Sequence, residues 1–158
     1  MALVIGSECA ALGPLGFTGQ RTAELQDALV GSGAWRPVAA GGPVLDPDVT
    51  GLKAAISDAF AAANAARATL LVAFVGHGVT TAAEDFYLLA RDSPAVPDSD
   101  SGFHLAQGIR ERLNRHPSID GFVMLVDACE VGEGLKGAAR RWDVLNDAGR
   151  VELLERVC

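Results

Sequence analysis

Cysteine is scarce in this sequence. Cys9, Cys129 and Cys158 are the only three, an odd number without metal-ligand spacing, which suggests neither a disulfide framework nor a zinc site and points to reduced thiols. Long hydrophobic runs are missing as well. No apolar stretch approaches the roughly 18 residues needed to span a bilayer. Met1 leads directly into Ala2-Leu3-Val4-Ile5 with no basic segment or small-residue cleavage site, so a soluble, cytoplasmic protein without a membrane partner is expected. Basic residues are outnumbered, 13 Lys and Arg against 20 Asp and Glu for a net charge of −7. That balance argues against nucleic acid, whose phosphates reward clustered cations, and weakly favours a basic partner or substrate. The chain has no internal repeat or low-complexity segment. The first apolar run continues as Gly6-Ser7-Glu8-Cys9, which matches neither nucleotide-binding glycine fingerprint and so counts against a generic nucleotide-binding α/β domain.

What is present is hydrophobic. Residues of that kind make up 49% of the 158, enough for one globular domain over 1–158 with a real core. Ala2–Gly6 reads as a central strand, followed by a loop from Ser7 to Gly19 that is long for a plain connection and is therefore placed near the site. A helix is expected over Gln20–Val30, with Ala23, Leu25, Ala28 and Leu29 on its apolar face. Trp35–Ala39 reads as a second strand, at an edge because Pro37 removes a ladder donor. Asp46-Pro47-Asp48 starts a helix over Val49–Arg67 carrying Leu52, Ala55, Ile56, Phe60 and Ala63 at helical spacing. Thr69–Val75 is a buried strand ended by Gly76-His77-Gly78. Phe86–Leu89 is a short strand, Asp92–Ser101 an exposed loop, and His104–His116 a helix stopped by Pro117. Phe122–Val126 is a further strand buried on both faces, ending at Asp127-Ala128-Cys129. A short basic helix over Leu135–Trp142 and a strand over Val151–Val157 complete the reading. Alternating strands and helices mean an α/β fold, a mostly parallel sheet with helices on both faces.

Chemistry concentrates at two strand ends in the stretch Gly121–Gly134 and around His77. Ligands of open α/β sheets bind beyond the carboxyl ends of the strands. If the two strands are adjacent, an imidazole and a thiol share one rim. An imidazole beside a thiol stabilises the thiolate and can later protonate a leaving amine. Gly76 and Gly78 remove side chains where a substrate backbone must approach, and the amides of Gly78 and Cys129 could bind an oxyanion. Either residue alone is more often structural; the pair carries the inference. His104 and His116 read as solvated or capping, Cys9 as a loop or core thiol, Cys158 as incidental, and Asp92, Asp98 and Asp100 as a solvated surface.

Gly76-His77-Gly78, followed after about fifty residues by Asp127-Ala128-Cys129-Glu130-Val131-Gly132, resembles the caspase-like cysteine peptidases. The Asp before Ala-Cys and the Gly three residues after the Cys are closer to the metacaspase type and its bacterial relatives than to caspases. The likeness covers Ala2 to about Gly134. It implies a caspase-like three-layer αβα sandwich and a cysteine endopeptidase with a Cys129/His77 dyad, the amides of Gly78 and Cys129 forming the oxyanion hole. In that pattern the acidic residue two before the Cys lines a pocket for Arg or Lys, the position of Asp127. Against it, Arg21, six residues before Asp27, resembles the caspase Arg that helps bind a substrate aspartate, so cleavage after Asp is the alternative. The resemblance implies no resident cofactor, although calcium-dependent relatives make calcium activation, with binding at the acidic loop of Asp92, Asp98 and Asp100, the alternative. The family sheet has six strands, and the last one or two are expected to be missing here. The resemblance thus implies a large-subunit-like portion that a C-terminal small-subunit-like fragment would complete, with self-processing at Lys136, Arg140, Arg141 or Arg150 and a setting in bacterial cell death, stress or antiviral defence. A non-catalytic caspase-like assembly module is the reading from another class.

Overall fold

The computed structural model describes residues 1–38, 41–130, 140–146 and 149–157. Three apolar segments form the middle of the molecule. β1 (Ala2–Ser7) and β3 (Leu70–Thr80) pair in parallel from Ala2↔Leu71 to Ser7↔Gly76, and β6 (Phe122–Glu130) adds in parallel on the far side of β3 from Leu70↔Phe122 to Gly78↔Glu130. β2 (Val44–Leu45) flanks β1. Beyond β6 lies an antiparallel pair, β7 (Arg140–Asn146) and β8 (Gly149–Val157), with β8 parallel to β6. The order is β2-β1-β3-β6-β8-β7, while β4 (Phe86–Leu88) and β5 (Phe103–His104) extend antiparallel from the end of β3. The fold is therefore mixed α/β with a mostly parallel sheet.

Alternation along the strands sends successive side chains to opposite faces, and both faces are covered. Leu3, Ile5, Val72, Phe74, Met124 and Val126 meet Leu52, Ile56, Phe60, Ile109 and Leu113 of α2 (Val49–Ala66) and α3 (Leu105–Arg115). Ala2, Val4, Leu71 and Ala73 meet Leu25 and Leu29 of α1 (Thr18–Gly31). A continuous apolar run is what a two-sided environment selects. Each of Leu52, Ile56 and Phe60 is fully buried, worth about 1.5–3 kcal/mol in transfer free energy. α2 starts where the Asp48 carboxylate accepts the Gly51 amide at 2.6 Å, satisfying a donor the helix itself leaves open. It ends with Arg67 in the left-handed region at φ 48°.

Several expectations are corrected. β6 does not stop at Val126, and β3 does not stop at Val75. Their parallel ladder continues through Asp127-Ala128-Cys129 and Gly76-His77-Gly78, because backbone pairing persists where side-chain polarity changes. Trp35–Ala39 supplies only a single parallel bridge, Ala2↔Pro37, and Ala39 lies outside the described residues. Proline lacks the N–H to continue a ladder, so the edge strand is Val44–Leu45. α1 buries Thr18, Thr22 and Gln26 and leaves Ala23 and Ala28 exposed. Its polar contact face follows from close approach to Gly6, where a Cβ would meet the Thr22 hydroxyl. The helix expected over Leu135–Trp142 is strand from Arg140 onward, the β7–β8 pairing overriding local preference; 135–139 lie outside the described residues. Two strands thus follow β6 where the sheet was expected to be short.

Candidate functional site

His77 is held in the centre of the sheet. β3 runs between β1 and β6, and at this level its register partner on β6 is Cys129. The imidazole is 4% exposed. Its Nε2 lies 2.9 Å from the carbonyl oxygen of Gly13. A carbonyl only accepts, so Nε2 carries the proton, and in the neutral ring Nδ1 keeps its lone pair. Nδ1 is buried and has no hydrogen-bond partner among the described residues. Leaving such an atom unmatched costs about 1–3 kcal/mol; the buried Nδ1 of His104 is unmatched in the same way, so it is the register with a cysteine that sets His77 apart.

The glycines on either side of His77 have a packing cause. A Cβ at Gly76 would sit 2.3 Å from the Ser7 carbonyl oxygen, and one at Gly78 would sit 2.4 Å from Cζ of Phe86 and 3.2 Å from Cβ of Ala128. Close strand and ring contacts therefore require glycine at both positions before any substrate is considered. Gly78 is the register partner of both Glu130 on β6 and Leu88 on β4.

The Gly13 carbonyl belongs to the loop between β1 and α1, the segment whose length marked it as close to the site. Gly13 and Gly16 adopt φ values of 87° and 72°, which only glycine adopts without strain. Cys9 forms a bridge with Gly13 and donates its thiol to Ser93 O at 3.3 Å. It is a buried loop thiol. The Glu8 carboxylate accepts from the Leu15 amide at 2.5 Å, the Gly16 amide at 3.2 Å and the Thr18 hydroxyl. Burial works to raise the Glu8 pKa, but the Thr18 hydroxyl, the two amides and the attraction of His77 outweigh it and hold the carboxyl below its ordinary value. A cavity of about 240 Å³ opens beside this loop, lined by Glu8, Cys9, Gly13, Pro14, Asp46 and Arg91.

The fold thus brings His77 and Cys129 to one level of adjacent strands. Asp127 lies two residues back on β6, exposed, between Val75 and Arg156 in register. Arg21 lies in the first turn of α1 and pairs with Glu24 at 2.9 Å with its side chain 64% exposed. His104 precedes α3 and bonds Asp85 at 3.0 Å, and His116 ends that helix. Asp98 organises its own turn by accepting from Asp100 and Ser101, while Asp92 accepts the Val49 amide at 2.8 Å. Among the described residues no group of three or more His, Cys, Asp or Glu side chains is placed to hold a metal ion. No helix among them is long and apolar enough to cross a membrane. Lys136 lies outside the described residues, and Arg140, Arg141 and Arg150 fall on β7 and β8. Gly13 and Glu8 escaped the sequence reading; an acidic residue directly after a strand, followed by two glycines around Pro14-Leu15, was the available signal. No protein-family model matches the chain, and no curated protein matches it.

Proposed function

We propose that the chain is a caspase-like cysteine endopeptidase domain in which Cys129 attacks the scissile carbonyl and His77 transfers the proton. The observation that carries this reading is His77 itself: a buried imidazole, in register with a cysteine, whose Nε2 proton is committed to Gly13 and whose Nδ1 is unmatched. The Nδ1 lone pair takes the thiol proton, the thiolate forms an acyl-enzyme, and the imidazolium protonates the departing amine. Water then hydrolyses the thioester. The amides of Gly78 and Cys129 are the proposed oxyanion donors. No metal is required, and calcium acts, if at all, as an activator. The substrate is a protein or peptide.

For the residue preceding the cut, the sequence pattern at Asp127 supports Arg or Lys. The alternative, cleavage after Asp, rests on the sequence likeness at Arg21, with Arg156 a further basic residue in register with Asp127. Self-cleavage at Lys136, Arg140, Arg141 or Arg150 and completion by a small-subunit-like fragment belong to the same proposal.

Fluorogenic peptides ending in Arg, Lys or Asp, assayed with and without calcium, test it. Turnover that vanishes in Cys129→Ala and falls about 10²–10⁴-fold in His77→Ala is the expected result. Absence of turnover on all three, with and without an added C-terminal fragment, would leave the non-catalytic assembly module standing instead.

A further inference from the structure

We propose that Glu8 is a positioning residue for His77, acting through the loop that presents the Gly13 carbonyl; the assignment rests on the reading of His77 as the base. Glu8 directly follows β1, and its own amide is fastened to Asp46 Oδ1 at 2.8 Å. From that anchored root its carboxylate reaches across the loop. Oε2 takes the Leu15 amide and Oε1 takes the Gly16 amide and the Thr18 hydroxyl. Successive amides converging on an anion form a nest, and bonds to a charged acceptor are stronger than neutral ones.

These donors flank the place where orientation matters. Gly13 lies just before Pro14, which has no N–H of its own to fasten. The descending limb of the loop, Leu15 to Thr18, is tied through Glu8. The ascending limb is tied separately, through Ala10 N to Arg91 O at 3.0 Å and Cys9 Sγ to Ser93 O at 3.3 Å. Removing the Glu8 carboxylate therefore leaves Gly13, which turns at φ 87°, held from one side only. Without a fixed acceptor at Nε2 the imidazole has no reason to keep its proton there. The Nδ1-protonated tautomer then competes, and that tautomer cannot accept a proton at Nδ1, the nitrogen proposed to serve the thiol. Glu8 touches no reacting atom. It selects the tautomer.

The test uses the full chain, ¹⁵N-labelled, with long-range ¹H–¹⁵N correlation spectra of the histidine rings near neutral pH. The wild type is expected to show His77 as the Nε2–H tautomer with a protected ring proton. In Glu8→Ala that proton should exchange at least ~10-fold faster, the effect of losing a charge-assisted bond, and the ring nitrogens should shift towards a tautomer mixture. Glu8→Gln keeps one oxygen for the Gly16 amide and the Thr18 hydroxyl and should give intermediate behaviour, while Thr18→Val, which removes a single donor, covers the case in which Glu8→Ala fails to fold. Native amide dispersion with an unchanged His77 signal in the Glu8→Gln and Thr18→Val proteins would overturn the inference. So would a wild-type His77 that is Nδ1-protonated. The readout needs no substrate. A protein that cleaves no peptide yet shows the Glu8-dependent tautomer keeps this inference and loses the peptidase reading, and active protein with a Glu8-independent tautomer does the reverse.

Discussion

Gly76 packs against the Ser7 carbonyl so closely that a Cβ on residue 76 would lie 2.3 Å from the oxygen. The two residues are register partners at the end of the β1–β3 ladder. Neither backbone can retreat without breaking the strand pair that carries His77, so the Gly76→Ala protein is expected to lose about 1–3 kcal/mol, the usual cost of overpacking a rigid site. Urea unfolding measures it; a midpoint within error of wild type would show that the strands have slack.

At Gly78 the obstruction is a side chain instead, the ring of Phe86. Gly78→Ala alone should destabilise by a similar amount, and Phe86→Ala alone by about 3–5 kcal/mol. Combined, they should cost less than their sum, because the new methyl enters the space the ring has vacated. A double-mutant cycle in denaturant checks this coupling. Simple additivity would locate the strain elsewhere.

Arg67 ends α2 with φ 48° and ψ 49°, a conformation that disfavours any residue with a Cβ. Arg67→Gly should stabilise the protein by about 0.5–1 kcal/mol after the extra freedom glycine brings to the unfolded chain is subtracted. The prediction is unusual in direction, since most substitutions destabilise. Thermal unfolding decides it through an upward or a downward shift of the midpoint.

Glu8 should make the protein acid-sensitive. Its carboxyl is held below the ordinary 4.5 because the Thr18 hydroxyl and the Leu15 and Gly16 amides outweigh burial. A folded-state value below the unfolded one contributes stability that is present above the unfolded value and lost as pH falls through the folded one. The stability gap between wild type and Glu8→Gln should therefore be full near neutrality, begin to narrow as pH falls to about 4.5, and close only below the folded-state value. Denaturant titrations across that window measure the gap directly, and a gap independent of pH would remove the carboxylate from the account.

In the proposed peptidase Asp127 and Arg156, register partners on β6 and β8, would make opposite demands on a substrate. If the Asp127 carboxylate receives a basic side chain, Asp127→Asn should lower kcat/KM on peptides ending in Arg by about 30-fold, corresponding to a lost charge pair of roughly 2 kcal/mol, while Arg156→Gln leaves it intact or raises it. If cleavage follows Asp, Arg156→Gln carries the loss.

Much of this architecture was legible because burial on both faces writes itself as uninterrupted apolar sequence. Ala2–Gly6, Thr69–Val75 and Phe122–Val126 were all found in that way, and Asp48 announced α2 by its capping chemistry. Strand ends were less legible. The ladder between β3 and β6 is a backbone property and runs on through His77 and Cys129, where hydropathy changes sign. The edge strand was misplaced because Pro37 and Val44 both lie beside β1, and only pairing distinguishes a single bridge from a strand. Around Arg140 local helix preference lost to a hairpin partner, Gly149–Val157, that no local window contains. His77 and Cys129 are candidates from motif and spacing, and the β3–β6 ladder sets them level. The Gly13 carbonyl could not be found that way, since a main-chain acceptor has no sequence signature, and Glu8 was hidden with it.

The alignment of His77 with Cys129 is also a matter of timing. The two residues become neighbours only when β6 docks on β3, after a segment of about fifty residues has been looped out at a chain-entropy cost of roughly 3–4 kcal/mol, and contacts so distant along the chain form slowly. Until then Cys129 is an ordinary thiol, a few per cent ionised near neutrality. In the proposed peptidase a nascent or partly unfolded copy would therefore lack the pair, and the nucleophile would be armed by the same event that completes the core.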